Sequence, residues 1–563
     1  MPEQNPQSLS RRKWLGLTPT IAAASLGSGL LAQKAFAENP PVTSANGNSS
    51  GEKIYDIRDF GAKGDGTTLA TDAVQSAIDA ANRDNGGVVF VPAGNFLIGT
   101  IELKSNVTLR LASSGRLLGS DDISHYHAGN NIPAGNGNIV LISAANAENV
   151  SIEGTGTIHG QGEKFLPGAK DDGEKDSGRP RAHLMVFYKC TNLRLRNAFF
   201  RNSSYHCCRI LHCSFVFIDG VRIHNRVIFN NDGFHLNSSE HVKISNCNVV
   251  CEDDACALFG SNYDVTVTNC TFSTRWSVFR FGGGQCENLT VSNCVIYDTF
   301  GCPIKMQVRS GDRMENMIFS NLVMTNVTGP IYIGLGSAPR NALNPNQITA
   351  GGIVRNIQFR GIRATVAAKP DLTEFPYLPG TPISDIYPGE HHTCISLTSV
   401  AGQFIENILL SDVQVIYAGG GTAEMAALRD VPQVSGGEYF ACGVLPAYGL
   451  FARNVRGLTL DDVRFEIASP DLRPAIVFDH VQDAAVNGLN VQGDKNAESV
   501  LRFIGSEDIY FDTPRLISPA NVFAQAEGAE NSNITIAGGD ISKAEKSFAF
   551  KNGAKKNSLK LKT

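Results

Sequence analysis

A recurring spacing of about two dozen residues is the feature that most constrains the fold of this chain. Short runs that alternate apolar and polar residues end in Asn or Asp, as in Leu193–Asn197, Val242–Asn246 and Val265–Asn269. The last residues of six such runs fall at positions 197, 219, 246, 269, 293 and 321. Alternation with this spacing, and without a helical pattern between the runs, is typical of the coils of a parallel β-helix. The sequence therefore predicts an all-β solenoid.

Length and composition agree with a repeat architecture. The 563 residues exceed one ordinary globular core, and no break in composition divides them into domains. A β-sandwich is disfavoured, because its strands recur every ~8–12 residues without register between repeats. Beyond Asn321 the spacing widens through Gly- and Pro-rich segments near 334–351, 370–389 and 419–437. We interpret these segments as loop insertions after residue 330, at one edge of the solenoid, where they are in a position to wall a cleft.

One amphipathic helix precedes the repeats. Thr71 is a candidate N-cap for a helix that runs to Asn82. The helix is expected to direct four apolar residues to one face, namely Val74, Ala77, Ile78 and Ala81. Because the first coil of a solenoid would otherwise expose its core and strand edges, we expect this helix to cap the N-terminal end.

The N-terminus has the pattern of an export signal. Arg11 and Arg12 precede an apolar, alanine-rich run, and Ala35-Phe36-Ala37 is a small-x-small cleavage site. We predict a twin-arginine-type signal peptide at 1–37, a linker at 38–52, the β-helix at 53–543 and a basic tail at 544–563. An uncleaved membrane anchor is the alternative, although the apolar run is shorter than the ~20 residues of a membrane span. After cleavage we expect a periplasmic or extracellular protein without stable membrane insertion.

Charge and cysteine content bound the partners. The net charge of −5 disfavours nucleic acid, and we expect a monomer. Eleven of the 13 cysteines lie between Cys190 and Cys302, several at matching points of successive repeats. We expect buried thiols there, and Cys394 and Cys442 as a possible bridge. No Cys-x-x-Cys pair occurs, and neither a metal nor a cofactor is expected.

Carboxylates gather in two successive repeats. Asp232 follows Asn230 and Asn231, and the pair Asp253-Asp254 comes one coil later. Clustered carboxylates repel, so one should hold its proton more tightly while the others stay ionised, which supplies an acid and a base. A solvated cluster or a Ca²⁺ site is the alternative.

Two cations share the side of the repeat on which these carboxylates fall. Measured from the Asn or Asp that ends each run, Arg280 and Lys305 have offsets similar to those of the aspartates. We therefore expect an exposed acidic and basic stripe over four coils, suited to an anionic or hydroxyl-rich polymer.

These motifs resemble family 28 of the glycoside hydrolases, the polygalacturonase family. The family's Asn-Thr-Asp matches Asn230–Asp232, its Asp-Asp matches Asp253 and Asp254, and residues 154–162 with Arg179-Pro180 resemble phrases upstream of its site. The segment 59–66, Asp-Phe-Gly-Ala-Lys-Gly-Asp-Gly, resembles the start of pectin-lyase-like β-helix proteins. The resemblance implies a right-handed β-helix and inverting hydrolysis of a pectin-type polysaccharide. It also implies Asp254 as general acid, Asp232 with Asp253 as activators of water, and substrate contacts from Asn230 and Lys305.

Two positions depart from the family pattern. Ser277 stands where the family has a His that helps to maintain the ionisation of the acid, and Pro303 stands where it has an Arg that binds the uronate carboxylate. Arg280 is the candidate substitute, because Phe279 and Phe281 facing inward would turn it outward. Alternatively, Arg280 pairs with the nearby aspartates.

Two other functions remain open from the sequence. One is a polysaccharide lyase, in which the aspartates hold Ca²⁺ against a uronate and Lys305 or Arg280 abstracts the C5 proton. The other is a carbohydrate-binding β-helix without catalytic activity.

Overall fold

The computed structural model describes residues 52–133, 139–165, 181–228, 230–336, 351–368, 392–433 and 442–562. The expected signal peptide, nearly all of the linker, the Arg179-Pro180 motif and much of the three insertions lie outside the described residues. In the described part, no helix is long and apolar enough to cross a membrane.

The described strands stack as three parallel ladders. The first ladder contains Ile54–Asp56, Gly87–Val91, Val107–Leu111, Ser151–Gly154, Thr191–Arg196, Ser214–Asp219, Glu240–Ser245, Asn262–Thr268, Gln285–Thr299, Arg313–Val327, Ile353–Val366, Ile405–Tyr417, Val455–Ile467, Gln482–Asn487, Glu507–Asp512, Ser532–Ala537 and Leu559–Lys562. The second ladder contains Asp65–Leu69, Gly94–Ile98, Gly115–Gly119, Thr157–His159, Phe199–Arg201, Arg222–Asn225, Asn248–Cys251, Thr271–Thr274, Asn490–Val491 and Arg515–Leu516. Strands of 13 to 15 residues, such as Gln285–Thr299, run through both.

The third ladder carries the site. It contains Ile101–Glu102, Ile139–Ala145, His183–Tyr188, Cys208–Leu211, Phe234–Asn237, Cys256–Phe259, Phe279–Gly282, Ile304–Val308, Ile331–Leu335, Ile395–Ser399, Leu450–Arg453, Ile476–Asp479, Leu501–Ile504, Ala520–Glu527 and Ala544–Lys551. The short strand His127–Ala128 pairs antiparallel with Ile139–Ala145. Since parallel crossovers are almost always right-handed, the three ladders form the right-handed parallel β-helix that was expected.

Alternation along the third ladder separates the core from the outer surface. Cys208, Phe234, Cys256, Phe279 and Ile304 pair from rung to rung, and all five are completely buried. The residue that follows each of them faces the opposite way, because successive strand residues point to opposite faces. These outward residues form the row Arg209, His235, Ala257, Arg280 and Lys305.

A helix packs on the first strands, over Thr71–Arg83. Val74, Ala77, Ile78 and Ala81 are buried in the continuous core, as the pattern predicted. The predicted capping role of Thr71 is wrong. Ala70 is the residue before the helix, and the Thr71 hydroxyl instead accepts a hydrogen bond from the Gly99 amide at 2.8 Å. The Thr71 hydroxyl therefore makes a tertiary hydrogen bond in place of the local hydrogen bond of a helix cap. Within the described ranges, the shorter helices are Ile57–Phe60, Ile123–His125, Gly162–Phe165 and Ala423–Ala427.

The cysteines are stacked thiols. All 13 are free and buried, so the possible Cys394–Cys442 bridge is not formed. At matching points of consecutive coils, the Cys190 amide donates to Sγ of Cys213 at 3.4 Å, and the Cys247 amide donates to Sγ of Cys270 at 3.4 Å. Small, weakly polar side chains of this kind fill the core without cross-linking it.

The expected basic tail is part of the solenoid. Ala544–Lys551 pairs with Ala520–Glu527, and Leu559–Lys562 pairs with Ser532–Ala537. Lysines at outward positions do not oppose strand addition, because the ladder is built by backbone hydrogen bonds. The basic composition that suggested a solvated tail therefore belongs to the last coil.

Candidate active site

The catalytic candidates lie in the turns that lead into the third ladder. Asp232 and Asp254 each precede, by two residues, the paired strand residues Phe234 and Cys256. The Gly233 amide donates to the Asp254 carbonyl at 2.9 Å, which fixes these turns one above the other. The two aspartates therefore occupy equivalent positions one rung apart, a spacing of ~4.8 Å between coils.

These carboxylates are more buried than the predicted exposed stripe. Asp232 is 4% exposed and Asp254 is 6% exposed, while Asp253 is half-buried. The sequence offsets identified their common side, but the depth of the site depends on the neighbouring side chains.

Asn231 holds the turn that presents Asp232. Its Oδ1 accepts hydrogen bonds from the amides of Val227 and Ile228, both at 3.0 Å. Its Nδ2 donates to the carbonyls of Ser203 at 3.0 Å and Tyr205 at 2.8 Å. Since Asn231 is completely buried and spends its amide on backbone groups, its role is structural.

Asn230 connects Asp253 to an arginine. It has a left-handed backbone with φ of 57°, which Asn tolerates better than most residues. Its Nδ2 donates to Oδ2 of Asp253 at 3.2 Å, and its Oδ1 accepts from Nη2 of Arg181 at 3.1 Å. Oδ1 of Asp253 accepts from the Asp254 amide at 2.8 Å. Asn230 thus orients Asp253, and the substrate contact expected of it stays a prediction.

Asp232 lies against two imidazoles. Nδ1 of His235 is 2.6 Å from its Oδ2, and Nε2 of His206 is 3.8 Å from its Oδ1. Burial, followed by repulsion from Asp253 and Asp254, raises the pKa of Asp232 well above its ordinary value. Burial, reinforced by Arg209, lowers the pKa of His235 to about 3, so this imidazole is neutral over the whole neutral range.

The imidazoles belong to a stacked column of side chains. Ring centroids are 4.2 Å apart for Tyr205 and His206, 4.6 Å for His206 and His235, and 5.2 Å for His235 and Phe259. Two guanidinium groups terminate the column. Arg181 lies 4.2 Å from the Tyr205 ring, and Arg280 lies 5.4 Å from the Phe259 ring. Cations at both ends, together with burial, disfavour a further positive charge on the histidines between them.

The pair of imidazoles with Asp232 offers possible metal ligands. One atom each of His206, Asp232 and His235 lies within 4.8 Å of the others. However, the two imidazole planes are only 16° from parallel and are stacked at 4.6 Å. Ring nitrogens bind metals through lone pairs in the ring plane, and nearly parallel planes do not meet at one ion. This group therefore does not fit a single metal centre.

Arg280 and Lys305 are neighbours on consecutive rungs of the outward row. Phe279 and Phe281 are completely buried, so Arg280 is turned away from the core as predicted, but it is only 7% exposed and so does not form an exposed stripe. Its guanidinium donates to the Phe281 carbonyl at 2.7 Å and to Oε1 of Gln307. Lys305 has no exposed surface and places Nζ 4.5 Å from the centre of the Trp276 ring. The expectation of an exposed basic stripe is thus wrong for Lys305, because Trp276 shields it.

A cleft of about 620 Å³ is bounded by His206 and His235, the two imidazoles that lie against Asp232, and its lining does not include Asp232, Asp253 or Asp254. Three arginines line it, namely Arg209, Arg280 and Arg309. Its other lining residues are Tyr205, His206, His235, Asn237, Phe259, Gly260, Gly282, Gly283, Gly284, Gln307, Ser310 and Asp312. A cleft of this size, with aromatic walls and several cations, suits an anionic sugar.

The strand register also places Ser277 and Pro303, the two positions that depart from the family motif. Ser277 is the next residue of the column that holds Asp232 and Asp254, since the Ala255 amide donates to its carbonyl at 2.8 Å. Its hydroxyl is buried and donates to the Gly301 carbonyl at 3.0 Å, so it does not replace an imidazole. Pro303 accepts a hydrogen bond from the Phe279 amide at 2.8 Å and contributes no charge.

His206, His235 and Arg209 were not predicted from the sequence. His235 could have been found by the argument used for Arg280, since it alternates with the apolar residues Phe234 and Leu236. The same argument applies to Arg209 between Cys208 and Ile210. His206 lies in a turn, where alternation gives no signal.

The comparisons of sequence indicate one family. The model of glycosyl hydrolases family 28 matches residues 86–382, slightly more than half of the chain. Polygalacturonase-2 of Solanum lycopersicum is 25% identical over 336 residues, which cover 57% of this chain and 71% of the relative. The exo-poly-alpha-D-galacturonosidase of Dickeya chrysanthemi is 40% identical over 131 residues, or 21% of each chain.

Among solved structures, the hyperthermoactive exopolygalacturonase from Thermotoga maritima is similar with a TM-score of 0.54 and 19% identity. The match covers 74% of this chain and 92% of that one. At this level of identity the likeness concerns the fold.

Proposed function

Because this chain belongs to glycosyl hydrolase family 28 and is a glycosidase, we propose that it cleaves a pectin-type polysaccharide with inversion at the anomeric carbon. In this reaction Asp254 gives a proton to the leaving oxygen. Asp232, with Asp253, takes a proton from the water that attacks the anomeric carbon. The bond from that carbon to the leaving oxygen breaks as the bond to the water oxygen forms.

The observation that carries the proposal is the position of Asp232 and Asp254. They occupy equivalent places on consecutive coils, with Asp253 adjacent, and Asp232 contacts His235, which lines the cleft. Burial and the neighbouring carboxylates raise the pKa of Asp232, which means that the cluster binds a proton more tightly than separate aspartates would. A cluster that holds one proton among three carboxylates has the composition needed for one acid and one base.

The charges of the cleft support a uronate as the sugar. Arg209, Arg280 and Arg309 face it, and a guanidinium can hold a carboxylate through parallel hydrogen bonds. Arg280 is the preferred clamp, because it lies one rung from Lys305 and takes over the function of the cation that is absent at Pro303. Its existing bond to Gln307 orients the guanidinium before the substrate arrives.

A product assay tests the reaction. Purified enzyme is incubated with galacturonan, rhamnogalacturonan, xylogalacturonan and neutral glycans, and new reducing ends are measured. Anomeric proton signals recorded in the first minutes give the stereochemistry. We expect reducing ends from a uronate polymer, with the inverted anomer formed first. Products that absorb in the ultraviolet and need Ca²⁺ would indicate a lyase, and retention on the polymer without cleavage would indicate a binding protein.

We also propose export through the twin-arginine-type signal at residues 1–37, supported by the sequence pattern of that segment. Cell fractionation of the full chain should find the enzyme outside the cytoplasm. The double change Arg11→Lys and Arg12→Lys should leave it inside, whereas Lys13→Arg should not.

A further inference from the structure

His235 occupies a position that gives it control over one carboxylate of the cluster. Its Nδ1 lies 2.6 Å from Oδ2 of Asp232, the only catalytic candidate that it contacts among the described hydrogen bonds and ion pairs. The ring is fixed between His206 and Phe259, at 4.6 and 5.2 Å. It is nearly parallel to both neighbours, with interplanar angles of 16° and 4°. The column therefore holds Nδ1 directed at Asp232.

Three neighbouring carboxylates, of which Asp232 and Asp254 are buried, create a problem of proton placement. Asp232 is the most enclosed of them, and burial alone would give it the proton that the cluster retains. The proposed hydrolysis requires the opposite distribution, with Asp232 ionised and Asp254 protonated. A hydrogen-bond donor aimed at Asp232 would correct the distribution, because such a bond stabilises the charged form.

We propose that His235 is the positioning residue that keeps Asp232 ionised. Its neutral imidazole donates the Nδ1 proton to Oδ2 of Asp232, and the proton retained by the cluster then resides on Asp254. The inference rests on the proposed function and deepens it. In the motif that the chain resembles, an imidazole serves the acid; here Ser277 occupies that place, and the imidazole stands beside the base.

Other titratable groups around the pair act on Asp232 in both directions. Those that face it from the packed elements are Asp253, Asp254, Arg209, His206, Cys207 and Cys251. Burial raises the pKa of both thiols well above the usual range, so they carry no charge. The two carboxylates favour a proton on Asp232, and Arg209 on the adjacent rung opposes them. Nε2 of His206, at 3.8 Å, is beyond hydrogen-bond distance.

Matched substitutions separate the effect of the His235 N–H donor from the effect of its aromatic ring. His235→Phe preserves the stacked column and removes the N–H, whereas His235→Asn keeps an N–H close to the position of Nδ1. His206→Phe makes the same change on the neighbouring ring. The pH profile of kcat/KM is measured for each variant, because its acidic limb reports ionisation of the base.

We expect His235→Phe to lower kcat/KM roughly 10- to 100-fold, the effect of one hydrogen bond to a charged group. The acidic limb should move upward by about one pH unit or more, because the carboxylate loses its donor. His235→Asn should restore much of kcat/KM and return the acidic limb to its wild-type pH. His206→Phe should leave the acidic limb at its wild-type pH. An unmoved limb in His235→Phe, or an equal shift in His206→Phe, overturns the inference.

A second measurement does not need activity. In protein with ¹⁵N-labelled histidine, the His235 signals are identified by their loss in His235→Phe. We expect a neutral ring with the proton on Nδ1 between pH 5 and 8. A proton on Nε2 alone, or a doubly protonated ring, contradicts the inference. If the wild-type enzyme released no reducing ends while this tautomer was found, the proposed function alone would fail.

Discussion

Asp232 and Asp254 occupy the same position on two consecutive coils, and the Gly233 amide between their turns donates to the Asp254 carbonyl at 2.9 Å. The two groups proposed to handle protons are therefore placed by the backbone of the solenoid itself. Their side chains share one buried environment, so a change in the charge of either affects the other.

Asp254→Asn should abolish cleavage while the polymer still binds. The amide keeps the shape of the side chain but does not deliver a proton to the leaving oxygen, and general acid catalysis contributes ~10²–10⁴-fold. Turnover and affinity are measured on the same polymer. Asp264→Asn is the control, because this aspartate is exposed and pairs only loosely with His241 at 3.3 Å. A variant at Asp254 that keeps more than about a tenth of the turnover would exclude this role.

Asp232→Asn should stabilise the fold at neutral pH. The pKa of Asp232 is raised in the folded state, so the folded protein loses stability as the pH rises above the ordinary value of 3.8. The amide carries no charge and avoids that loss. We expect the free energy of unfolding to increase by roughly 0.5–2 kcal/mol at pH 7, with the gain disappearing near pH 4.

Thermal unfolding at several pH values measures this effect. Asp264→Asn again serves as the reference, and its difference from wild type should be small throughout. A variant at Asp232 that is less stable than wild type at pH 7 would show that the carboxylate contributes more by its contacts than its burial costs.

Arg280→Gln should weaken action on a charged polymer selectively. The comparison uses a polyuronate and its carboxyl-reduced counterpart, and kcat/KM is measured on both. We expect an extra loss of ~1–3 kcal/mol in transition-state stabilisation on the charged polymer. Equal losses on the two polymers would mean that Arg280 acts through contacts within the protein, such as those with Phe281 and Gln307, rather than through the uronate. Arg222→Gln, on the exposed face of the second ladder, is the matched control.

Arg429→Ala should destabilise the C-terminal coils. This arginine follows the helix Ala423–Ala427 and pairs with Glu498 and Glu527, each at 2.7 Å. Because Glu527 is 4% exposed, the change leaves a buried carboxylate with fewer partners. We expect a loss of about 1.5–3 kcal/mol in the free energy of unfolding. Arg360→Ala, whose guanidinium is exposed and bonds Gln358, should change it by less than about 0.5 kcal/mol.

Acidification should weaken the ion pair between Arg429 and Glu498. Burial by itself would raise the pKa of Glu498, but Lys551 and Arg429 lower it to about 2. A carboxyl group with a depressed pKa stabilises the fold above its ordinary value of 4.5, and this contribution is lost as the pH falls toward 2. The stability difference between wild type and Arg429→Ala should therefore narrow over that interval. A constant difference would show that the ion pair is not its source.

The sequence by itself determined the solenoid and the common side of its carboxylates. Backbone pairing repeats once per coil, so counting residues places Asp232 and Asp254 one coil apart. Side chains along a strand alternate between two faces, so counting also shows that Arg280 points away from the core. The same counting could have indicated His235. Composition did not predict that the basic stretch after residue 543 continues the ladder. Strands are added through backbone hydrogen bonds, and these do not depend on the charge of outward side chains.

Only the tertiary structure decided the depth and the electrical environment of the site. The sequence placed Lys305 on an exposed stripe, but the neighbouring coil brings Trp276 over it. The sequence suggested Thr71 as a helix cap, but in the structure its hydroxyl accepts a hydrogen bond from the amide of Gly99, 28 residues later. His206 and His235 are 29 residues apart, and only stacking of their coils puts both beside Asp232. Burial and the interactions between charges depend on which residues are near in space, and this distance is set by the packing of coils rather than by local sequence.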